Sequence, residues 1–129
     1  KIDSPLYAFL TWKQIKTLAN SPLIDIGAHT IDHVSLARIT PDDMRHQINE
    51  SLRQVSDALN KPCRLFAYPE GTDLDYNNAV IKHLQSIGID HAPSAVEGDN
   101  EIGVTGPFHI RRYLVGIEGR RMPLHQKQT

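Results

Sequence analysis

The chain has 129 residues, of which 40% are hydrophobic, so it can bury one modest core but not two independent ones. The formal net charge is −1, and no basic stripe is present, which argues against a nucleic-acid partner and against a membrane-surface helix. No apolar run approaches the ~20 residues that span a bilayer. A single cysteine, Cys63, excludes an internal disulfide and a cysteine-based metal site.

Apolar spacing together with start and stop residues predicts three helices. The second one has the strongest signals, because Thr40 is a good N-cap, Pro41 suits the first turn, and apolar residues then recur along one face. That apolar stripe consists of Met44, Ile48, Leu52, Val55 and Leu59. The predicted helices cover residues 11–20, run from Thr40 to about Asn60, and run from Asp75 or Tyr76 to a C-cap at Gly88 with Ile87 on the buried face.

Short apolar segments between these helices are typical of strands, and they cover residues 23–28, 64–68, 89–96 and 110–115. Helices that alternate with strands in this way need right-handed crossovers and give a parallel sheet. The sequence therefore predicts a single α/β domain over residues 1–129. The pattern does not separate an open sheet from a barrel, although four strands are too few to close one. The tail from Glu118 is polar, and we expect it to fray.

Two histidines four residues apart, His29 and His33, directly follow the first predicted strand. Ligands bind at the carboxyl ends of strands in parallel α/β folds. If a helical turn follows the strand, both imidazoles project to the same side and can share one divalent metal ion. The chain has seven histidines, so a chance pair with capping or surface roles is the alternative. The others between His33 and the tail, which are His46, His83, His91 and His109, show no such arrangement.

The second informative stretch is Phe-Ala-Tyr-Pro-Glu-Gly, residues 66–71, at the carboxyl end of the second predicted strand. Pro69 and Gly71 predict a tight turn, which lets backbone N–H groups point into a cleft instead of continuing a ladder. Tyr68 offers an apolar face and one hydroxyl, which suits stacking on a sugar ring. The alternative is an ordinary turn that ends a strand.

In this order, the motifs resemble those of the polysaccharide deacetylase family, the NodB-homology domain of carbohydrate esterase family 4. The resemblance extends from about Leu23 to about Val115. It rests on Ile-Gly-Ala-His-Thr-Ile-Asp-His, Ile-Thr-Pro-Asp-Asp-Met and Leu-Asn-Lys-Pro-Cys-Arg-Leu-Phe-Ala-Tyr-Pro-Glu-Gly. It implies a partial, deformed (β/α) barrel, and we expect residues 1–129 to be the C-terminal portion of such a catalytic domain, truncated at its N-terminus.

The resemblance also implies an activity, the removal of acetyl groups from an N-acetylglucosamine-containing polysaccharide. Such enzymes hold a divalent metal, with zinc as the expected ion, and His29 and His33 match the two histidine ligands. The metal polarises the acetamide carbonyl and lowers the pKa of the attacking water. The backbone N–H of Glu70 matches the oxyanion donor, and Tyr68 matches a residue of the substrate-binding wall. The family further implies a cell-envelope or secreted protein.

Several family features have no clear counterpart in this chain. The Thr-Phe-Asp-Asp motif, which supplies the catalytic base and the third metal ligand, is missing, so we expect it upstream and the catalytic residues stay unknown. Ala67 stands where many members have Arg, and Glu70 where they have an aromatic residue. His125 and His109 are the candidates for the general acid, and Arg112 is a candidate for orienting a carboxylate.

These departures leave two main hypotheses and one minor one. The first is an active deacetylase whose opening strands lie outside the chain, so that the 129 residues alone have little or no activity. The second is a non-catalytic, deacetylase-like module that binds glycan or serves as a scaffold. The minor hypothesis is an unrelated α/β regulatory domain with a chance histidine pair.

Overall fold

The computed structural model describes residues 9–115 and the backbone of residues 121–122. Three α-helices account for most of the regular structure, and none of them is long and apolar enough to cross a bilayer. The elements in chain order are α1 (Trp12–Ala19), a 3-10 helix (Leu36–Arg38), α2 (Pro41–Leu59), α3 (Asn78–Ser86), β1 (Leu114–Val115) and β2 (Arg121–Met122). The strands β1 and β2 pair antiparallel, so residues 121–122 of the polar tail lie against the end of the fourth predicted strand.

The predicted first helix is confirmed, and its cap explains its start. The Thr11 side chain accepts a hydrogen bond from Gln14 N at 3.3 Å, and Gln14 Oε1 accepts one from Thr11 N at 2.8 Å. This reciprocal capping box satisfies two N–H groups that the first turn leaves without partners. Because α1 buries no residue, its local stability depends on this cap more than on packing.

The predicted second helix is also confirmed at both ends. Thr40 Oγ1 accepts a hydrogen bond from Asp43 N at 3.2 Å, and Asn60 ends the helix in the left-handed conformation, with φ 52°. Four residues of the predicted stripe are buried, and each such side chain contributes about 1.5–3 kcal/mol to stability. These residues are Met44, Ile48, Leu52 and Val55.

Helix α3 begins later than the sequence indicated. Its N-cap is Asn77, whose Oδ1 accepts hydrogen bonds from Ala79 N and Val80 N. Asp75 instead closes the preceding turn, because its carboxylate accepts a hydrogen bond from Thr72 N at 3.1 Å. The helix ends at Ser86, so Ile87 is 40% exposed and does not lie on the buried face as predicted.

The four predicted strands lie side by side, but they form isolated bridges instead of ladders. Ala28 bridges Phe66, and Pro93 bridges Ile110, both in the parallel sense. Between these two pairs, Tyr68 N donates to Pro93 O at 3.5 Å. Proline has no N–H, which limits pairing along the third segment. The parallel α/β arrangement is therefore present, while continuous strands and a barrel are not shown by residues 9–115.

One hydrophobic core joins the helices to these parallel segments. Helix α2 packs against α3, and both contribute side chains to a cluster that also includes Leu36 of the 3-10 helix and residues of the first three parallel segments. Its members from the parallel segments include Ala28, Phe66, Tyr68 and Ala92. The core thus fixes the chain just before residues 29–33 and 69–71, the two loops in which the sequence predicts site residues.

Candidate functional site

The loop that carries the histidine pair is not a helical turn. Thr30 and His33 both have left-handed backbone conformations, with φ 64° and 54°. The rings of His29 and His33 nevertheless meet edge to face, with their centroids 4.9 Å apart and their planes inclined by 68°. A helical turn, which is one way to bring the two rings together, is therefore absent, and the rings meet across a loop with two left-handed residues instead. That the pair binds a metal stays a prediction.

A backbone carbonyl of the neighbouring segment fixes the hydrogen position on His29. Its Nδ1 lies 2.8 Å from Ala67 O, and since a carbonyl only accepts, Nδ1 carries the hydrogen and Nε2 keeps its lone pair. Partial burial lowers the pKa of His29 below its usual value, although the hydrogen bond to Ala67 O acts in the opposite direction, and the positive charge of Arg112 lowers it further. The neutral ring with a free Nε2 is the form that can bind a metal ion.

His33 faces the turn that follows the second parallel segment. Its Nδ1 lies 3.7 Å from Glu70 Oε1, which is too long for a hydrogen bond but close enough for electrostatic attraction. Both side chains are more than half exposed, at 57% and 54%. The histidine pair therefore opens to solvent on the side of the Glu70 carboxylate.

Glu70 is the central residue of a very tight turn. Gly71 N donates to Pro69 O, and Glu70 has φ 55°, which together define a γ-turn of the rare, strained form. Within the described residues, the Glu70 N–H makes no hydrogen bond. The predicted tight turn is confirmed, and the structure leaves this N–H available as a donor. Its role toward an oxyanion stays a prediction.

We expect Gly71→Ala to destabilise the chain by about 2–4 kcal/mol, because it combines left-handed backbone strain with a clash. Gly71 has φ +71°, and an added Cβ would lie 2.8 Å from Ala95 N. Gly88→Ala is the matched control, since Gly88 has φ +82° and nothing within 4 Å of the added carbon. Urea unfolding should show a smaller loss for this control, about 1 kcal/mol. Equal losses in both variants would contradict the predicted clash.

Tyr68 lies in the core, contrary to its predicted contact with a sugar. The residue is 1% exposed, and its ring stacks on Tyr76 with centroids 4.0 Å apart and planes at 2°. Its hydroxyl donates to Phe108 O at 3.2 Å, and burial raises its pKa. With one face stacked, the hydroxyl bonded and almost the whole residue buried, Tyr68 has no surface to offer a glycan. The prediction that Tyr68 binds substrate was therefore wrong.

Comparison of the chain with known proteins identifies its family. The sequence profile of the polysaccharide deacetylase family matches residues 2–92. The chain belongs to that family. YxkH of Bacillus subtilis (strain 168), whose name places it provisionally among the polysaccharide deacetylases, is 28% identical over 116 residues, which cover 85% of this chain and 38% of YxkH.

Solved deacetylases have the same fold as this family member. The Streptococcus pyogenes deacetylase PplD, in complex with acetate, superposes with a TM-score of 0.69 at 24% identity, over 82% of this chain and 46% of PplD. The polysaccharide deacetylase BC0361 from Bacillus cereus gives 0.68 at 18% identity, over 84% of this chain and 33% of its own. The chain therefore spans less than half the length of these relatives.

The remaining candidates of this deacetylase-family chain have different positions. Arg112 Nε donates to Ser94 O, and its charge acts on His29, so it lies on the histidine side of the molecule. His109 instead pairs with Tyr76, with Nδ1 3.0 Å from the hydroxyl. His125 lies outside the described residues. A cavity of about 500 Å³ is lined by Gly27, Ala28, His29, Leu65, Phe66, Ala67, His91, Pro93, Ile110 and Arg112.

The described part of the chain supplies two imidazoles to the site and no complete set of ligands. Within it, no three side chains of the His, Cys, Asp or Glu type form a group that could hold a metal ion. The Glu70 carboxylate adds negative charge near His33, but it does not complete such a group. The arrangement of His29 and His33 alone therefore carries the metal hypothesis.

Sequence reasoning missed Gln47, which contacts the histidine loop from α2. Its Oε1 accepts hydrogen bonds from Ile31 N and Asp32 N, and its Nε2 donates to Asp32 Oδ2. One signal was available, because a glutamine directly before Ile48 lies on the buried face of a strongly amphipathic helix. Buried polar side chains there need partners, and such a residue often binds a neighbouring loop.

Proposed function

We propose that this chain contributes the metal-binding histidines of a hydrolase that removes acetyl groups from an N-acetylglucosamine-containing polysaccharide. The observation that carries the proposal is the convergence of the His29 and His33 rings, with centroids 4.9 Å apart, at the end of a parallel segment in a polysaccharide deacetylase. PplD, which has the same fold, was solved with acetate, and acetate is the product that deacetylation releases. We further propose a cell-envelope or secreted location, as the family implies.

The side chains present fit a divalent cation, and zinc is the ion we propose. His29 has Nδ1 committed to Ala67 O, so Nε2 is the atom left to coordinate. Its lowered pKa keeps the ring neutral near pH 7. Imidazole nitrogens are ligands that suit late first-row metals. When bound, such a cation supplies Lewis acidity toward the acetamide carbonyl and raises the acidity of water.

The turn at Glu70 supplies the second element of the proposed chemistry. Its N–H has no acceptor within the described residues and lies on the segment that faces His33. Donation from this group to the developing carbonyl oxygen charge would stabilise the transition state, and one such donor contributes about 10²–10³ in kcat. Because of the strained γ-turn, that N–H is not used in strand pairing, and an oxyanion donor must be free in this way.

The parallel segments fit the architecture that the proposal needs. The four segments follow one another side by side in chain order, and the two bridges between them are both parallel. Helices α2 and α3 lie in the connections between successive segments. We propose that they form part of an incomplete (β/α) barrel, supported by the TM-score of 0.69 with PplD. The histidine loop would then lie at the carboxyl-terminal face of that barrel, where catalytic loops gather.

Acetate release from N-acetylglucosamine oligomers tests the proposal, with the complete gene product that contains these 129 residues. We expect a chelator to abolish release and added zinc or cobalt to restore it, because the carbonyl is a poor electrophile without the cation. Release that persists with the chelator would contradict the metal mechanism. Glycan binding without any release would favour the alternative, a non-catalytic deacetylase-like module, for which the two-imidazole ligand set is the supporting observation.

A further inference from the structure

Three hydrogen bonds, which we call the Gln47 interlock, tie the histidine loop to α2. Gln47 Oε1 accepts from Ile31 N and from Asp32 N, each at 3.0 Å. Gln47 Nε2 donates to Asp32 Oδ2 at 2.6 Å. A single amide side chain thus uses both its acceptor and its donor on two consecutive loop residues. These residues lie between the two histidines in the sequence.

The interlock is built into the folded core and is not a surface contact. Gln47 is 9% exposed, and it lies on α2 between the buried residues Met44 and Ile48. A buried amide is unfavourable unless both its ends are hydrogen-bonded, and here both ends are bonded to the loop. Because α2 is anchored by four buried apolar residues and by caps at both ends, the amide is presented from a rigid element.

The loop needs such support because its backbone is unfavourable. Thr30 and His33 both adopt positive φ, which non-glycine residues rarely do, and no regular secondary structure covers residues 29–33. The interlock bonds fall on the two residues that separate these left-handed positions. They therefore oppose relaxation of the loop toward ordinary backbone conformations, which would swing the His33 ring away from the His29 ring.

We propose that Gln47 is a positioning residue, which through Asp32 holds the His33 ring against the His29 ring for metal binding. The metal part of this inference rests on the proposed function. The chemistry demands an amide, because the same side chain must accept from two N–H groups and donate to a carboxylate. Glutamate at this position could accept both N–H bonds but would repel Asp32. The partner change Asp32→Asn would return a donor to that pair.

The Gln47 amide and the Asp32 carboxylate are complementary, so exchanging the amide and the carboxylate between these two positions tests the inference. Gln47→Glu alone should break the bond to Asp32, whereas the double variant Gln47→Glu/Asp32→Asn reverses donor and acceptor and restores it. Gln54→Glu is the matched control, since it places the same charge two turns further along α2, where Gln54 is exposed and bonds only within the helix. Circular dichroism verifies that each variant keeps its helices.

The first measurement needs no metal. Hydrogen exchange of the Ile31 and Asp32 amides, followed by NMR, should accelerate about tenfold in Gln47→Glu, because repulsion between the carboxylates at positions 47 and 32 pushes the loop away and opens both N–H bonds. The double variant and the Gln54→Glu control should exchange like the original chain. Contacts between the protons of the two imidazole rings should weaken in Gln47→Glu and return in the double variant. Unchanged exchange and ring contacts in Gln47→Glu would overturn the inference.

The second measurement is the affinity of the complete gene product for cobalt(II), by competition with a chromophoric chelator. We expect Gln47→Glu to bind about 10–100-fold more weakly, the usual effect of changing a group that orients a ligand. The double variant should return to within about threefold of the original chain, and failure of this rescue in a folded protein would overturn the proposal. If the complete gene product that contains these residues bound no cobalt(II), the proposed function would fail, and amide exchange and ring contacts would decide the interlock alone.

Discussion

His33→Ala is expected to lower the affinity for zinc or cobalt(II) on the order of 100-fold or more, because it removes one of the two imidazoles that the site contains. His29→Ala should have a similar effect. Its ring carries the free Nε2 that the Ala67 carbonyl leaves available. Metal-competition titration gives both affinities, and in the complete gene product the same variants should lose acetate release.

His46→Ala is the control for the histidine substitutions. His46 is exposed on α2 and takes part in no contact with either ring of the pair. Its loss should leave metal affinity within about twofold of the original value, as is usual for an exposed residue away from a site. If all three variants bound metal equally well, the pair would be a chance arrangement. Both histidines would then have capping or surface roles, which is the alternative that the sequence left open.

The parts of this site that the sequence could predict are those that depend on local signals. Thr40 with Pro41 marks a helix start through bonds made within four residues. The turn at residues 69–71 could likewise be predicted from its own residues, because Pro69 restricts φ and Gly71 allows positive φ. The histidine pair was found because its members lie only four residues apart in the sequence, directly after an apolar segment.

The parts that it could not predict depend on contacts between distant residues. Gln47 bonds to residues 15 and 16 positions earlier in the chain, so no local pattern shows its partners. Thr30 and His33 adopt left-handed backbone conformations although neither is a glycine, the residue type from which such a conformation is usually predicted. Strand continuity also failed as a prediction, since pairing depends on whether the neighbouring segment offers an N–H at each position, and Pro93 does not.

Tyr68 shows how composition alone misassigned a residue of the site turn. An aromatic ring with a hydroxyl next to a cleft fits sugar stacking and core packing equally well. The structure shows that Tyr68 packs in the core, because Tyr76 covers one face of its ring and Phe108 O accepts a hydrogen bond from its hydroxyl. Tyr68 therefore anchors the chain in the core shortly before the Glu70 turn, and its substitution should act on stability before it acts on any ligand.

Tyr68→Ala is therefore expected to lower the free energy of unfolding by about 3–5 kcal/mol, as large-to-small substitutions of buried aromatic residues do. Tyr68→Phe keeps the stack on Tyr76 and loses only the bond to Phe108 O, so about 1–2 kcal/mol should be lost. The control Tyr113→Ala, at a residue whose hydroxyl donates to Asp99 Oδ1 at 3.0 Å among exposed groups, should lose less than Tyr68→Ala. Urea unfolding measures all three. If Tyr68→Ala kept its stability and lost affinity for N-acetylglucosamine oligomers, the residue would contact sugar after all, and the packing around the turn would need another explanation.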